Sequence, residues 1–280
     1  MSIQPVAAEN IISSPPPLEA PLQQSVLHHL YATMLRARML GQRLRSATRT
    51  GEAIVAGALQ NAEESDVIVS ATATPILEAL RGADLSTLAS SKNDLRFENK
   101  KVVTVDGEVF AGVAAGIAAA SLRRQSDSVV LAFAPGKLTR GAAFGKAARF
   151  IADNRLPLVL LADWTDARRS SRNHDGRELS HWPFPTIAVD GRDVIAVYRV
   201  TKEAISAARR GHGPTLVDCV NFLAPGGRGR DTRDPLAAYR GYLERHNAWS
   251  DLWQAELLTR LREEIGTAGR TRSNERSRQP

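Results

Sequence analysis

The residue types best suited to chemistry gather in three short stretches. The first is Ala134-Pro135-Gly136 with the cations Lys137 and Arg140 just behind it. The second is Asp163-Trp164-Thr165, followed by Arg168, Arg169 and Arg172. The third runs from Asn221 to Arg230 and contains Gly226-Gly227-Arg228-Gly229. Basic side chains beside a helix start could pair with a phosphate, because free backbone N–H groups and the helix dipole favour an anion there. The competing reading of the same residues is a solvated, arginine-rich surface loop. Asp163 is a possible oxygen ligand for a hard cation, but one carboxylate makes a poor Mg²⁺ site unless phosphate and water complete it.

Other reactive types read as structure. His174 adjoins Asp175, yet neighbours on a loop seldom face each other, so a solvated turn is expected there. His181-Trp182-Pro183 precedes a strand and reads as a packed loop anchor. Cys219 lies within an apolar run and reads as a small core residue, not a nucleophile. Gly226–Gly229 lacks the strand-to-helix setting and the lysine of a phosphate-binding loop. His28 and His29 cannot both face one side of a helix, and no further ligand is at hand.

The elements that must position these residues have the rhythm of an α/β chain. An amphipathic helix is expected from about Ser25 to about Thr50, with Leu27, Leu30, Tyr31, Met34, Leu35, Arg38 and Met39 at three-to-four spacing. A short helix is expected over Thr74–Arg81, ending at Gly82, with a further turn at Leu85–Ser90. Phe110–Arg123 is rich in alanine and glycine, which suits close helix packing. Buried strands are expected at Val129–Phe133, Leu158–Ala162, Thr186–Val189 and Thr215–Val220, each short, apolar and continuous. Helices are expected at Thr139–Asn154, from Asp193 to Arg210, over Pro235–His246 and over Asp251–Ile265. This alternation implies right-handed crossovers and a mostly parallel sheet with helices on both faces. Ligands in such sheets bind beyond the carboxyl ends of the strands, where all three stretches fall.

Composition narrows the class. The chain has 280 residues, 43% hydrophobic and 24% charged, enough for one large α/β domain. Its net charge of +7 invites a nucleic-acid reading, but Arg270, Arg272, Arg276 and Arg278 against Glu275 place +3 of it in the last residues. The rest is dispersed with few aromatics, a pattern that argues against nucleic acid as a partner. No apolar run is long enough to span a membrane, and the first residues do not read as a secretory signal. A single cysteine excludes an intrachain disulfide and points to the cytoplasm. Residues 1–22, with Ser13-Ser14-Pro15-Pro16-Pro17, read as a disordered leader, 23–266 as the α/β domain and 267–280 as a disordered basic tail.

Several segments, in order, resemble the alpha subunit of the thiamine-diphosphate-dependent 2-oxo acid dehydrogenase E1 family, of pyruvate, branched-chain and acetoin type. Leu30–Arg38 is similar to that family's opening helix, and Leu156-Pro157-Leu158-Val159-Leu160 to one of its strands. Val189-Asp190-Gly191-Arg192-Asp193 with Val194–Tyr198 is similar to its turn and helix, Gly211–Asp218 to its strand entry, and Asp234-Pro235 with Tyr239-Arg240 to a later segment. The resemblance covers roughly residues 25–265.

The resemblance implies a thiamine-diphosphate-binding fold, a beta-type partner or a homo-oligomer, and thiamine diphosphate with Mg²⁺ as cofactors. It implies oxidative decarboxylation of a 2-oxo acid with acyl transfer to a lipoyl group. In that family the alpha subunit supplies the diphosphate side of the site, and the beta subunit a glutamate that activates the cofactor ring. Family members carry Gly-Asp-Gly at one strand end and Asn-Asn at the next, whose oxygens hold the metal. Here those places read Ala134-Pro135-Gly136 and Asp163-Trp164-Thr165. Proline has no side-chain oxygen or N–H, and the only polar atom of tryptophan is a donor. The indole could fill the space of the cofactor. The family's phosphate-contacting arginine aligns with Ser70–Thr74, which holds no arginine, and its loop histidines with Pro225–Asp231, which holds no histidine. Gly136, Lys137, Arg140, Trp164 and Arg168 are therefore the candidate cofactor-binding residues of a degenerate site, with no metal ligand expected beyond a possible role for Asp163. A catalytically inactive scaffold or regulatory pseudoenzyme of the same fold is the alternative.

Overall fold

The computed structural model describes residues 22–44, 51–72, 75–83, 85, 88, 102–105, 107–165, 182–220 and 234–267. Six strands form one sheet: β1 (Val67–Ser70), β2 (Val102–Thr104), β3 (Val130–Pro135), β4 (Leu158–Asp163), β5 (Thr186–Asp190) and β6 (Thr215–Val220). Their order is β2-β1-β3-β4-β6-β5, and every pairing is parallel. The order reverses direction between β1 and β3, the kind of place where open α/β sheets leave a crevice.

Strand alternation divides the core in two. Leu131, Phe133, Val159, Leu161, Val217 and Cys219 face α2 (Glu52–Leu59) and α6 (Val194–Arg209). Val130, Ala132, Ala134, Leu158, Leu160 and Ala162 face α4 (Phe110–Arg123) and α5 (Ala142–Asp153). Both faces of the sheet are thus dry, which is why the strand sequences read as unbroken apolar runs. Gly57 lets α2 settle on α6: a Cβ there would lie 2.8 Å from Val197 Cγ1 and 2.9 Å from the Tyr198 nitrogen.

A further layer covers the α2/α6 side, made of α1 (Gln24–Arg43), α7 (Pro235–Arg245) and α8 (Asp251–Thr267). Its centre is aromatic. Tyr31 meets Trp249 edge-on at 5.0 Å, and His28 stacks on Trp253 at 4.0 Å while bonding the Ala248 carbonyl at 2.8 Å. His28 is therefore a packing group. Helix α3 (Pro75–Leu80) packs against α1 and α8 through Ile76, Ala79, Leu40 and Ile265.

Several boundaries depart from the sequence reading. α1 stops at Arg43, well before Thr50, and the Leu44 N–H closes its last turn on the Leu40 carbonyl. In the sequence the apolar three-to-four spacing lapses after Leu44. β1, β2 and α2 were not expected; strands of four and three residues are too short to show a period. The helix expected from Thr139 is split. A 3-10 turn covers Gly136–Arg140, Gly141 is extended, and α5 begins at Ala142. Asp193 caps α6 as expected, its side chain accepting from Ile195 and Ala196 N–H groups at 2.9 and 3.1 Å. Most of the expected turn at Leu85–Ser90 lies outside the described residues.

Candidate functional site at the strand ends

β3 and β4 are in register through their last residues, so Pro135 stands opposite Asp163. The chain then turns at both ends together, and this brings Gly136 and Trp164 into contact. A Cβ built on Gly136 would fall 2.1 Å from Trp164 Cδ2 and Cε2. The glycine is thus the floor on which the indole lies. Only the absence of a side chain lets the ring come so close.

The ring is fixed on its other sides. Its Nε1–H donates to Asp218 Oδ1 at 2.9 Å, and the Arg140 guanidinium lies 4.5 Å from the ring centroid. Asp218 comes from β6, one strand beyond β4, and is buried at 4% exposure. Its neighbours Val217 and Cys219 point to the opposite face of the sheet, so the pleat aims Asp218 to the side where Trp164 packs. The Trp164 backbone N–H meanwhile pairs with the Cys219 carbonyl at 2.9 Å. Both the backbone and the side chain of Trp164 are therefore tied to β6.

Asp163 turns to the other face. Its Oδ1 accepts from the Thr165 N–H at 2.8 Å and the Thr165 hydroxyl at 2.5 Å, and its Oδ2 lies 3.7 Å from a Cβ built on Gly51. The start of α2 thus sits beside this carboxylate. Thr165 is wedged against Gly191, where a Cβ would come within 2.8 Å of its methyl. Cys219 lies fully buried in this neighbourhood; burial first, then Asp163, Asp218 and Asp190, push its thiol well above the usual range. That makes it unreactive, as its setting in an apolar strand predicts.

The structure brings together Gly136, Arg140 and Trp164 among the candidate residues, with Asp163 one strand position from Trp164. Lys137 is on the same 3-10 turn and is exposed. Arg168 lies outside the described residues, as do Arg169, Arg172, His174, His181 and the loop 221–230. Trp182 is the loop anchor expected of it, meeting Phe144 edge-on at 4.7 Å. Among the described residues, no group of three or more His, Cys, Asp or Glu side chains is placed to hold a metal ion. Sequence reasoning missed Asp218. The signal was there: a carboxylate inside the apolar run Thr215–Val220 must have a buried partner.

A six-stranded all-parallel sheet with helices on both faces is an α/β fold, consistent with the thiamine-diphosphate-binding type. The family described as "Dehydrogenase E1 component" matches residues 52–279, and the chain belongs to that family. It is 31% identical over 171 residues to the 3-methyl-2-oxobutanoate dehydrogenase subunit alpha of Mycobacterium tuberculosis (strain CDC 1551 / Oshkosh), covering 53% of this chain and 47% of that protein. It is 28% identical over 190 residues to the 2-oxoisovalerate dehydrogenase subunit alpha of Bacillus subtilis (strain 168), covering 59% and 57%. It is 27% identical over 235 residues to the chloroplastic pyruvate dehydrogenase E1 component subunit alpha-3 of Arabidopsis thaliana, covering 69% and 55%. The chain spans about half the length of the curated relatives it matches.

Proposed function

We propose that this chain is an alpha-type subunit of a 2-oxo acid dehydrogenase assembly whose own half of the cofactor site is degenerate. The observation that carries this reading is the Trp164 indole lying on Gly136, hydrogen-bonded to Asp218 and covered by Arg140. In the family this is where a metal-bound diphosphate would be held, and thiamine diphosphate, when bound, supplies the carbanion chemistry of decarboxylation. The residues here do not fit that group. Pro135 brings no side-chain oxygen, Trp164 brings a donor where the metal needs an acceptor, and Asp163 Oδ1 is engaged by Thr165.

What remains for the chain is assembly. Relatives whose names describe alpha subunits imply a complementary chain, and we take a beta-type partner or a second copy to be that chain. The two sides of the sheet differ in a way that favours this. α1, α7 and α8 cover the α2/α6 side. At the N-cap of α4 Val109 is 54% exposed, and on the helix Gly112 and Gly116 have no packing neighbour within 4 Å of a built Cβ among the described residues. If the assembly is active, its substrate class is a 2-oxo acid, and two of the three relatives are named for branched-chain ones. We place the chain in the cytoplasm on its single cysteine. Among the described residues no helix is long and apolar enough to cross a membrane.

Titration calorimetry with thiamine diphosphate and Mg²⁺, on the chain alone and with a beta-type chain, tests the site. The expected result is no metal-dependent heat from this chain. Tight, Mg²⁺-dependent binding by the chain alone overturns the degenerate-site reading. Light scattering of the same samples tests assembly, and a monomer that stays monomeric with the beta-type chain overturns the subunit reading.

A further inference from the structure

One guanidinium on α1 reaches the starts of two other helices. Arg38 Nε–H donates to Glu52 Oε2 at 3.0 Å, and its Nη1 donates to Asp234 Oδ2 at 2.8 Å. Its Nη2 contacts the second oxygen of both carboxylates, Glu52 Oε1 and Asp234 Oδ1. All three nitrogens are used, each carboxylate is held by two of them, and only a planar fork can do this. Glu52 is the first residue of α2 and is buried at 3% exposure. Asp234 is the N-cap of α7 and accepts from the Leu236 N–H at 3.1 Å. Both carboxylates therefore also sit at the positive ends of their helices.

The location matters more than the ion pairs themselves. α2 begins beside Asp163, with Gly51 against its carboxylate. α7 begins far from α2 in sequence, 182 residues after Glu52 at Asp234. Arg38 ties their first residues together, beside the apolar cluster in which Ala53 and Ala56 of α2 meet Leu236 and Tyr239 of α7. Burial pushes the Glu52 carboxyl above its ordinary value and the Arg38 guanidinium opposes that, so losing this partner leaves a costly buried carboxylate. A shift of Asp234 changes how much of the guanidinium is available to Glu52.

We infer that Arg38 is a positioning residue that couples the start of α7 to the start of α2 beside Asp163, so that the two helix ends loosen as one unit. The coupling is independent of whether a cofactor binds at the strand ends. It makes the α2 side of the candidate site responsive to whatever displaces the chain at Asp234.

Hydrogen exchange on the full chain tests this through two backbone amides. Val55 N–H bonds the Gly51 carbonyl at 2.9 Å and reports the first turn of α2, and Ala238 N–H bonds the Asp234 carbonyl at 2.9 Å and reports that of α7. Asp234→Asn keeps the cap but weakens the ion pair. It is expected to speed exchange at Val55, a residue it does not touch, by about tenfold, and Arg38→Gln is expected to speed both amides by more. Arg38→Lys is expected to restore little, since it lacks the fork. In all three variants Val130 N–H, bonded to the Pro157 carbonyl in the sheet, keeps its wild-type rate. If Asp234→Asn changes Ala238 alone, or if the variants speed Val130 equally, the coupling does not exist. Should Arg38→Gln fail to fold, the Asp234→Asn comparison decides by itself.

Discussion

Gly136→Ala drives a methyl group into the face of the Trp164 indole, and the cost follows from the geometry. The new Cβ would lie 2.1 Å from two ring carbons and 2.6 Å from a third. Carbon contacts settle near ~3.5 Å or more, so the ring must retreat by more than ~1 Å. That breaks the 2.9 Å bond from Nε1 to Asp218 and moves the ring from under Arg140. A hydrogen bond to a charged group contributes about 1.5–3 kcal/mol. An exposed cation–π contact adds about 0.5–1 kcal/mol. Together they predict a loss of about 3 kcal/mol for Gly136→Ala. Gly136 lies in a 3-10 turn, a conformation that alanine adopts freely, so backbone strain adds nothing. In a Trp164→Ala background the ring carbons that the methyl would strike are gone. There the change is expected to be neutral or stabilising by about 0.5 kcal/mol, from the smaller freedom of the unfolded chain. Urea unfolding of the four chains gives the coupling energy, expected at about 3 kcal/mol. Additivity within about 0.5 kcal/mol would refute the placement of the ring on Gly136, and the self-filled site with it.

Three more outcomes follow from the same structure. Asp193→Ala removes an acceptor for two N–H groups at the start of α6 and is expected to cost about 1 kcal/mol, read as a lower urea midpoint at unchanged slope. Gly57→Ala meets the Tyr198 backbone and is expected to cost about 1–3 kcal/mol, whereas Gly116→Ala on open α4 should stabilise the isolated chain by up to about 1 kcal/mol; equal effects would contradict the packing described. The Cys219 thiol is raised by burial and by its three aspartates, so stability from keeping it neutral is complete below the ordinary thiol value and is lost as pH rises past that value. Iodoacetamide at alkaline pH should spare the folded chain and modify the urea-unfolded one; equal rates would show that the strand is open.

Local regularity was legible in the sequence, and this set the fold class. α4 begins and ends where its alanine-rich run does, Asp193 caps α6, and β3, β4, β5 and β6 fall on the four apolar runs. The segments that carry the family resemblance are likewise contiguous strings. β1, β2 and α2 escaped notice because four, three and eight residues hold too few turns or alternations to rise above chance.

Pro135 and Trp164 could be read from the sequence as unusual occupants of two strand ends, since their chemistry is a property of residue type. Only the tertiary structure decided what Trp164 does there. The parallel register of β3 with β4 lays the indole on Gly136, and the neighbouring strand β6 supplies Asp218, 54 residues on, as its hydrogen-bond acceptor. Arg38, Glu52 and Asp234 read singly as ordinary charged residues, and Arg38 and Asp234 meet across 196 residues of chain. Spacing along a chain reports only what helices and strands repeat locally. Contacts between distant segments arise when burial forces apolar faces together, and the partners of buried charges are settled in that step.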